Sequence, residues 1–126
     1  MNAKAAFSGV SVDDMDKAKA FYEETLGLKL VDDKMGYRFA LPGGSGELYV
    51  YPKDDHQPAS YTHLNFVVDD IDAAVADLAA KGIKFEQYEG MTDEKGIARG
   101  ISRNMGPDIA WFKDPAGNIL AVLKEA

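Results

Sequence analysis

Apolar and polar positions follow two periods along this chain, and the changes from one period to the other outline its elements. In "THLNFVV" (62–68) Leu64, Phe66 and Val68 fall on one side and His63, Asn65 and Val67 on the other, the period-two pattern of a half-buried strand. Met15, Ala18, Tyr22 and Leu26 recur at helical spacing instead, as do Ile71, Ala74, Val75 and Leu78. Acids precede each stripe: Asp13 or Asp14 in the first case, Asp69 or Asp70 in the second, can accept hydrogen bonds from the free N–H groups of the first helical turn. Gly27 and Gly82 come next, where a helix commonly ends in the left-handed conformation.

The same plan is written twice. Val12, Asp13, Asp14, Asp16, Ala18 and Ala20 match Val68, Asp69, Asp70, Asp72, Ala74 and Ala76, and after a one-residue gap Gly27, Leu28, Lys29 and Leu30 fall on Gly82, Ile83, Lys84 and Phe85. Beyond the first glycine "LKLVDDKM", "GYRFALP" and "GELYVYP" read as three strands; beyond the second, "IKFEQYE", "DIAWFKD" and "NILAVLKE" do so. The last two are joined by Asp114-Pro115-Ala116-Gly117-Asn118, with Asp114 opening a type I turn, Pro115 presetting φ and Gly117 taking the left-handed position. The fold class expected is α+β, two tandem βαβββ modules spanning residues 4–52 and 61–126 of one domain, residues 1–126. "KDDHQPASY" (53–61) reads as their linker, with His56 solvated within it. "GMTDEKGIARGISRNMGP" (90–107) reads as a mobile loop, either a cover for a ligand or an ordinary surface excursion.

Composition narrows the chemistry. No cysteine is present, which excludes disulfides, thiolate zinc sites and a cysteine nucleophile, and any metal needs His and carboxylate ligands with only two histidines to draw on. A formal net charge of −7 argues against nucleic acid and mildly favours cationic ligands, although solubility is its plainer use. The start lacks a basic stretch followed by an apolar one, and no run is apolar enough to span a membrane, so a soluble cytoplasmic protein is expected. There is no Walker loop, GxSxG elbow or HExxH motif, and "GGSGE" (43–47) is a hairpin loop rather than a phosphate cradle.

Paired βαβββ modules, "DDMDKAKAFYEETLGL" after the first strand, "THLNFVVDDIDAAVADL" opening the second half and "WFKDPAGNIL" before the last strand together resemble the vicinal oxygen chelate superfamily. That superfamily includes glyoxalase I, extradiol dioxygenases, fosfomycin-resistance transferases and bleomycin-resistance proteins. The resemblance implies curled mixed sheets around a ligand cavity with the helices outside. It implies no single chemistry, since isomerases, dioxygenases, transferases and non-catalytic drug binders share the scaffold.

In metal-dependent members a divalent ion is held by a ligand opening each module and a carboxylate on each module's last strand. By this resemblance the first opening position, seven residues before Asp14, is Phe7, and the second, seven before Asp70, is His63. The carboxylate position, third after Asn118, is Ala121, and its counterpart in the first half is Tyr49. Only His63 matches. No metal or other cofactor is therefore expected, a divalent metal being the family alternative. A one-residue shift of the hairpin alignment would bring in Glu47 instead of Tyr49, still leaving two ligands.

Pleat parity places Phe7, Gly9, Ser11, Tyr49, Tyr51, His63, Asn65, Ile109, Trp111 and Ala121 on the cavity face, with Arg38 opposite Trp111 in the repeat alignment. The expected ligand-binding set is Phe7, Ser11, Arg38, Tyr49, Tyr51, His63, Asn65, Ile109, Trp111 and Ala121, an aromatic pocket with a few polar handles. Plain packing is the other use of Tyr49, Tyr51 and Trp111. His63 is the candidate catalytic base, or a hydrogen-bonded remnant; Arg38 pairs with a substrate anion or forms a structural ion pair. Two functions compete: a binding protein of the bleomycin-resistance type, and a glyoxalase-like lyase or isomerase, or dioxygenase-like enzyme, with little or no dependence on metal. An accessory domain acting through protein contacts would leave the aromatic pocket unexplained. The expected partner is a small molecule, with no nucleic acid, no membrane and a homodimer possible through the open sheet edges.

Overall fold

Eight strands form two four-stranded sheets with the same order and the same mixture of parallel and antiparallel pairing. A computed structural model describes residues 1–126, which divide into two compact units, Met1–Pro58 and Ala59–Ala126. The first sheet holds β1 (Ser8–Val12), β2 (Lys29–Asp32), β3 (Tyr37–Ala40) and β4 (Glu47–Pro52) in the order β1-β4-β3-β2. The second holds β5 (Thr62–Val67), β6 (Ile97–Arg99), β7 (Asp108–Lys113) and β8 (Ile119–Lys124) in the order β5-β8-β7-β6. In both, the first strand runs parallel to the fourth, and the crossover between them contains the helix.

Register carries the internal repeat down to single residues. Arg38 pairs with Tyr49 and Phe39 with Leu48 in the first sheet; Trp111 pairs with Ala121 and Phe112 with Leu120 in the second. On β1 and β4 the residues Val10, Val12, Leu48 and Val50 are buried, whereas Gly9, Tyr49 and Tyr51 are not, as strand alternation requires when one face is covered by a helix.

The two helices differ. The second, α2 (Ile71–Ala80), is regular, and it buries Ile71 and Val75 against β7 and β8. The first, α1 (Met15–Lys19), passes into a π-helical segment, Ala20–Thr25, in which the Leu26 N–H donates to the Phe21 carbonyl. A π turn inserts one extra residue and so rotates the side chains beyond it. Ala18, Phe21 and Tyr22, at i, i+3 and i+4, are all buried. Tyr22 packs edge-on against Phe21 at 5.1 Å and close to Phe39 at 5.8 Å. Of the alternative caps, Asp14 accepts from the Lys17 N–H and Asp70 from the Ala73 N–H. Gly27 (φ 73°) and Gly82 (φ 95°) end the helical segments in the left-handed region.

Two expectations change. Residues 83–89 do not form the outer strand of the second sheet; a single backbone bond, from the Glu86 N–H to the Trp111 carbonyl, and the Lys113–Glu86 ion pair tie them to β7, and Phe85 is buried against Phe112. The strand beside β7 is β6, which lies inside the segment read as a mobile loop. Asp93 explains why: its carboxylate accepts from the N–H groups of Lys95 and Ile97 and its own N–H donates to the Ile97 carbonyl, closing a tight turn that turns the chain into β6. His56, read as solvated, is instead hydrogen-bonded to Ser11 of β1, with 2.7 Å between Oγ and Nδ1. No helix is long and apolar enough to cross a membrane.

Candidate functional site

In the first unit, the open face of the sheet carries an aromatic cluster. Phe7, immediately before β1, meets Tyr49 edge-to-face at 6.1 Å, and Tyr49 stacks on Tyr51 at 5.4 Å. The Arg38 guanidinium lies over the Phe7 ring, 4.1 Å from its centroid, and its Nε is 3.5 Å from a Glu47 carboxylate oxygen. The Tyr49 hydroxyl donates to the Met35 carbonyl. Four of the predicted site residues, Phe7, Arg38, Tyr49 and Tyr51, are thus brought together. The fifth in this unit, Ser11, is engaged with His56.

His63 is the extra residue of a β-bulge. Thr62 pairs with Ile119 and Leu64 with Leu120, so the ladder register steps over His63. Burial holds its imidazole below the usual histidine range, partly offset by the negative charge of Asp114. Asp114 is itself 4% exposed, and it organises the turn: Oδ1 accepts from the N–H groups of Ala116 and Asn118, and Oδ2 from the Asn118 side-chain amide. The Asn118 Oδ1 in turn accepts from the Ala59 N–H. The turn predicted from sequence forms, with Gly117 at φ 86°, and its two end residues are buried polar groups with their bonds made.

Ala121 is fully buried on β8, flanked by Asn65 on β5 and Trp111 on β7. Asn65 itself is exposed. Trp111 and Ile109 line a cavity of about 360 Å³ whose remaining wall comes from residues 90–107. Met91, Ala98, Arg103, Met105 and Pro107 face it. Trp111 and Met91 also border a second cavity of about 310 Å³, closed by Tyr61, Thr62, Tyr88 and Ile119. Tyr88 stands edge-on to the indole at 5.6 Å. Of the residues in these walls, Met91, Met105, Arg103 and Tyr88 were not among the predicted set. For Met91, Arg103 and Met105 the signal was the segment 90–107 itself, a long Gly-containing stretch expected either to cover a ligand or to run over the surface; Tyr88 lay in the stretch read as a strand.

Nearby, Arg99 of β6 forms a two-bond pair with Asp72 of α2, at 3.0 and 2.7 Å, and a further bond to Asp93 at 3.3 Å. Both carboxyls are held below the usual carboxylate range. For Asp72 the chief cause is the pair of hydrogen bonds from Arg99; Asp93 is lowered, against the cost of its partial burial, by the N–H groups of Ile97 and Lys95 and by Arg99. The pairs fasten the start of α2 to the edge of the sheet and to the turn at residue 93.

Comparisons with known proteins agree with this architecture. Among solved structures, a protein from Sphaerobacter thermophilus described as a member of the glyoxalase/bleomycin resistance protein/dioxygenase superfamily is 25% identical, with TM-score 0.73 over 98% of each chain. TnmS3, an antibiotic binding protein from Streptomyces sp. CB03234, is 25% identical, with TM-score 0.71 over 99% of this chain and 98% of its own. A glyoxalase/bleomycin resistance protein from the same Streptomyces strain is 26% identical, with TM-score 0.65 over 95% of this chain and 99% of its own. No curated protein matches the chain in sequence. The sequence profile of one family matches residues 5–122, nearly the whole chain, and with the duplicated mixed sheets this places the protein in the Glyoxalase/Bleomycin resistance protein/Dioxygenase superfamily.

Proposed function

We propose that this protein binds a small organic ligand in the Trp111 cavity and does so without the divalent metal used by part of its superfamily. The observation that carries the reading is the cavity itself: an indole floor, two methionines and a few polar groups make up the apolar, lightly functionalised wall that small-molecule sites share. TnmS3, an antibiotic binding protein of the same fold at 25% identity, supports binding rather than turnover as the function.

The side chains at the four family positions support the metal-free part. Phe7 and Ala121 have no donor atom, and the Phe7 ring carries a guanidinium over its face, an unfavourable neighbour for a cation. The Tyr49 hydroxyl is committed to the Met35 carbonyl. His63 alone offers a nitrogen, and a divalent ion that gives up its hydration shell needs three or four such donors.

The chain has one tryptophan, so Trp111 fluorescence reports on the cavity directly. Planar aromatic compounds titrated into the protein are expected to change that emission and to raise the melting temperature, whereas EDTA and divalent metals leave both unaltered. Near-stoichiometric zinc, nickel, manganese or iron in protein purified without a histidine tag would overturn the metal-free reading.

One observation favours the enzyme reading as second. The lowered pKa of His63 keeps its imidazole neutral near pH 7 and able to accept a proton. If turnover is found, His63→Ala abolishes it under that reading; under the binding reading the same change alters affinity only.

A further inference from the structure

We infer that the ligand of the Trp111 cavity is an aromatic or otherwise apolar molecule carrying an anionic group, a carboxylate, sulfonate or phosphate, that meets Arg103. The inference rests on the reading of this cavity as the binding site.

The charges lining the cavity are two arginines and no carboxylate, in a chain whose formal net charge is −7. The two arginines are not equivalent. Arg99 spends its guanidinium on Asp72 and Asp93, and Lys95 shares Asp72, so this group of two acids and two bases is internally neutral. Arg103 enters no ion pair, and it ends the short 3₁₀ turn Ile101–Arg103 on the cavity wall. The nearest acid in sequence, Asp108, is engaged by the Ile101 N–H at 3.0 Å.

The main chain at Arg103 is held in place, while its side chain is exposed at the cavity wall. Its N–H donates to the Gly100 carbonyl, which accepts from Met105 as well, and Asn104 takes the left-handed conformation (φ 54°). Gly100 is required for this fold-back: a Cβ there would lie 2.3 Å from the Pro107 carbonyl oxygen. Met105, Pro107, Ile109 and Trp111 then supply apolar contact beside the cation.

Overall charge favours cationic ligands, but distance decides against it at this site. Exposed charges beyond about 10 Å are largely screened at 0.1 M salt, whereas a guanidinium in contact with an anion is not. A cationic ligand in this cavity would meet Arg103 with no carboxylate in the wall to compensate.

The test compares three probes of one shape, biphenyl-4-carboxylate, biphenyl-4-carboxamide and 4-phenylbenzylamine, titrated into the full chain and followed by Trp111 emission and calorimetry. The carboxylate is expected to bind about tenfold more tightly than the amide, and the amine most weakly, the margin of one charge-assisted hydrogen bond. Arg103→Gln brings the carboxylate to parity with the amide, and Arg103→Lys restores part of the preference. Equal or tighter binding of the amide or amine overturns the anionic class while leaving the cavity as the site. Binding of the carboxylate that is indifferent to Arg103→Gln overturns the assignment to Arg103, and no response to any probe overturns the inference together with the reading of the cavity.

Discussion

Tyr49 and Ala121 hold the same place in the two sheets: each lies on the fourth strand, paired across the antiparallel ladder with Arg38 in one and Trp111 in the other. In metal-dependent relatives these places belong to carboxylates. Here one is filled by a phenol that buttresses the 35–36 turn and the other by a methyl group in a packed sheet. Ala121→Glu therefore buries a carboxylate and overfills the space beside Trp111. We expect a loss on the order of 3 kcal/mol, read from the urea midpoint. Restoration of that stability by added zinc would show that His63 and a carboxylate at 121 suffice for a site, contrary to the donor count.

His63 makes stability depend on pH. Its folded pKa lies below the unfolded value of 6.5, so below that pH the unfolded chain binds more protons than the folded one. The contribution is fully present above pH 6.5 and is lost as pH falls through the lower folded value. Urea midpoints are expected to fall from pH 7.5 to pH 5, less steeply in His63→Gln. Asp114 is the charge that raises the His63 pKa, so Asp114→Asn lowers the titration midpoint of the His63 ring further, as tracked by NMR. A midpoint that rises in that variant would contradict the assignment.

The Asp114–Asn118 pair carries more stability than a surface turn would. Asp114→Ala leaves the N–H groups of Ala116 and Asn118 and the Asn118 amide without their shared acceptor in a turn whose two ends are buried. A cost of about 3 kcal/mol is expected. Because Asn118 also accepts from Ala59, a double-mutant cycle with Asn118→Ala should be strongly non-additive, whereas additive losses would show the two residues to act separately.

Gly96 tests whether residues 90–107 are a built wall. It sits at φ 87°, and a Cβ would come within 2.7 Å of the Phe85 Cβ. Gly96→Ala is expected to cost about 2–3 kcal/mol through left-handed strain and the clash. Hydrogen exchange is expected to accelerate first at the β6 amides. Unchanged exchange there would mean that the segment adapts without Gly96.

The sequence by itself determined whatever depends on near neighbours. Helix caps join residues three apart, the Asp114–Asn118 turn is closed by bonds among its own residues, and strand alternation needs only one covered face, so the duplicated βαβββ plan and the uncovered side of Gly9, Tyr49 and Tyr51 could be read directly. Even the repeat alignment of Arg38 with Trp111 came from local spacing. Tertiary structure decided the rest, because it turned on competition between distant segments. Residues 83–89 and 97–99 both had claims on the edge of β7, and the Asp93 turn with its Arg99 and Asp72 partners gave that edge mainly to β6. The π turn over Ala20–Thr25 was not legible in the stripe of Met15, Ala18, Tyr22 and Leu26, which reads as an ordinary helix. His56 found Ser11 from far along the chain, and Arg103 reached a cavity wall because a fold-back at Gly100 turned it there: no period or spacing in a sequence encodes which remote groups a folded backbone brings within 3 Å.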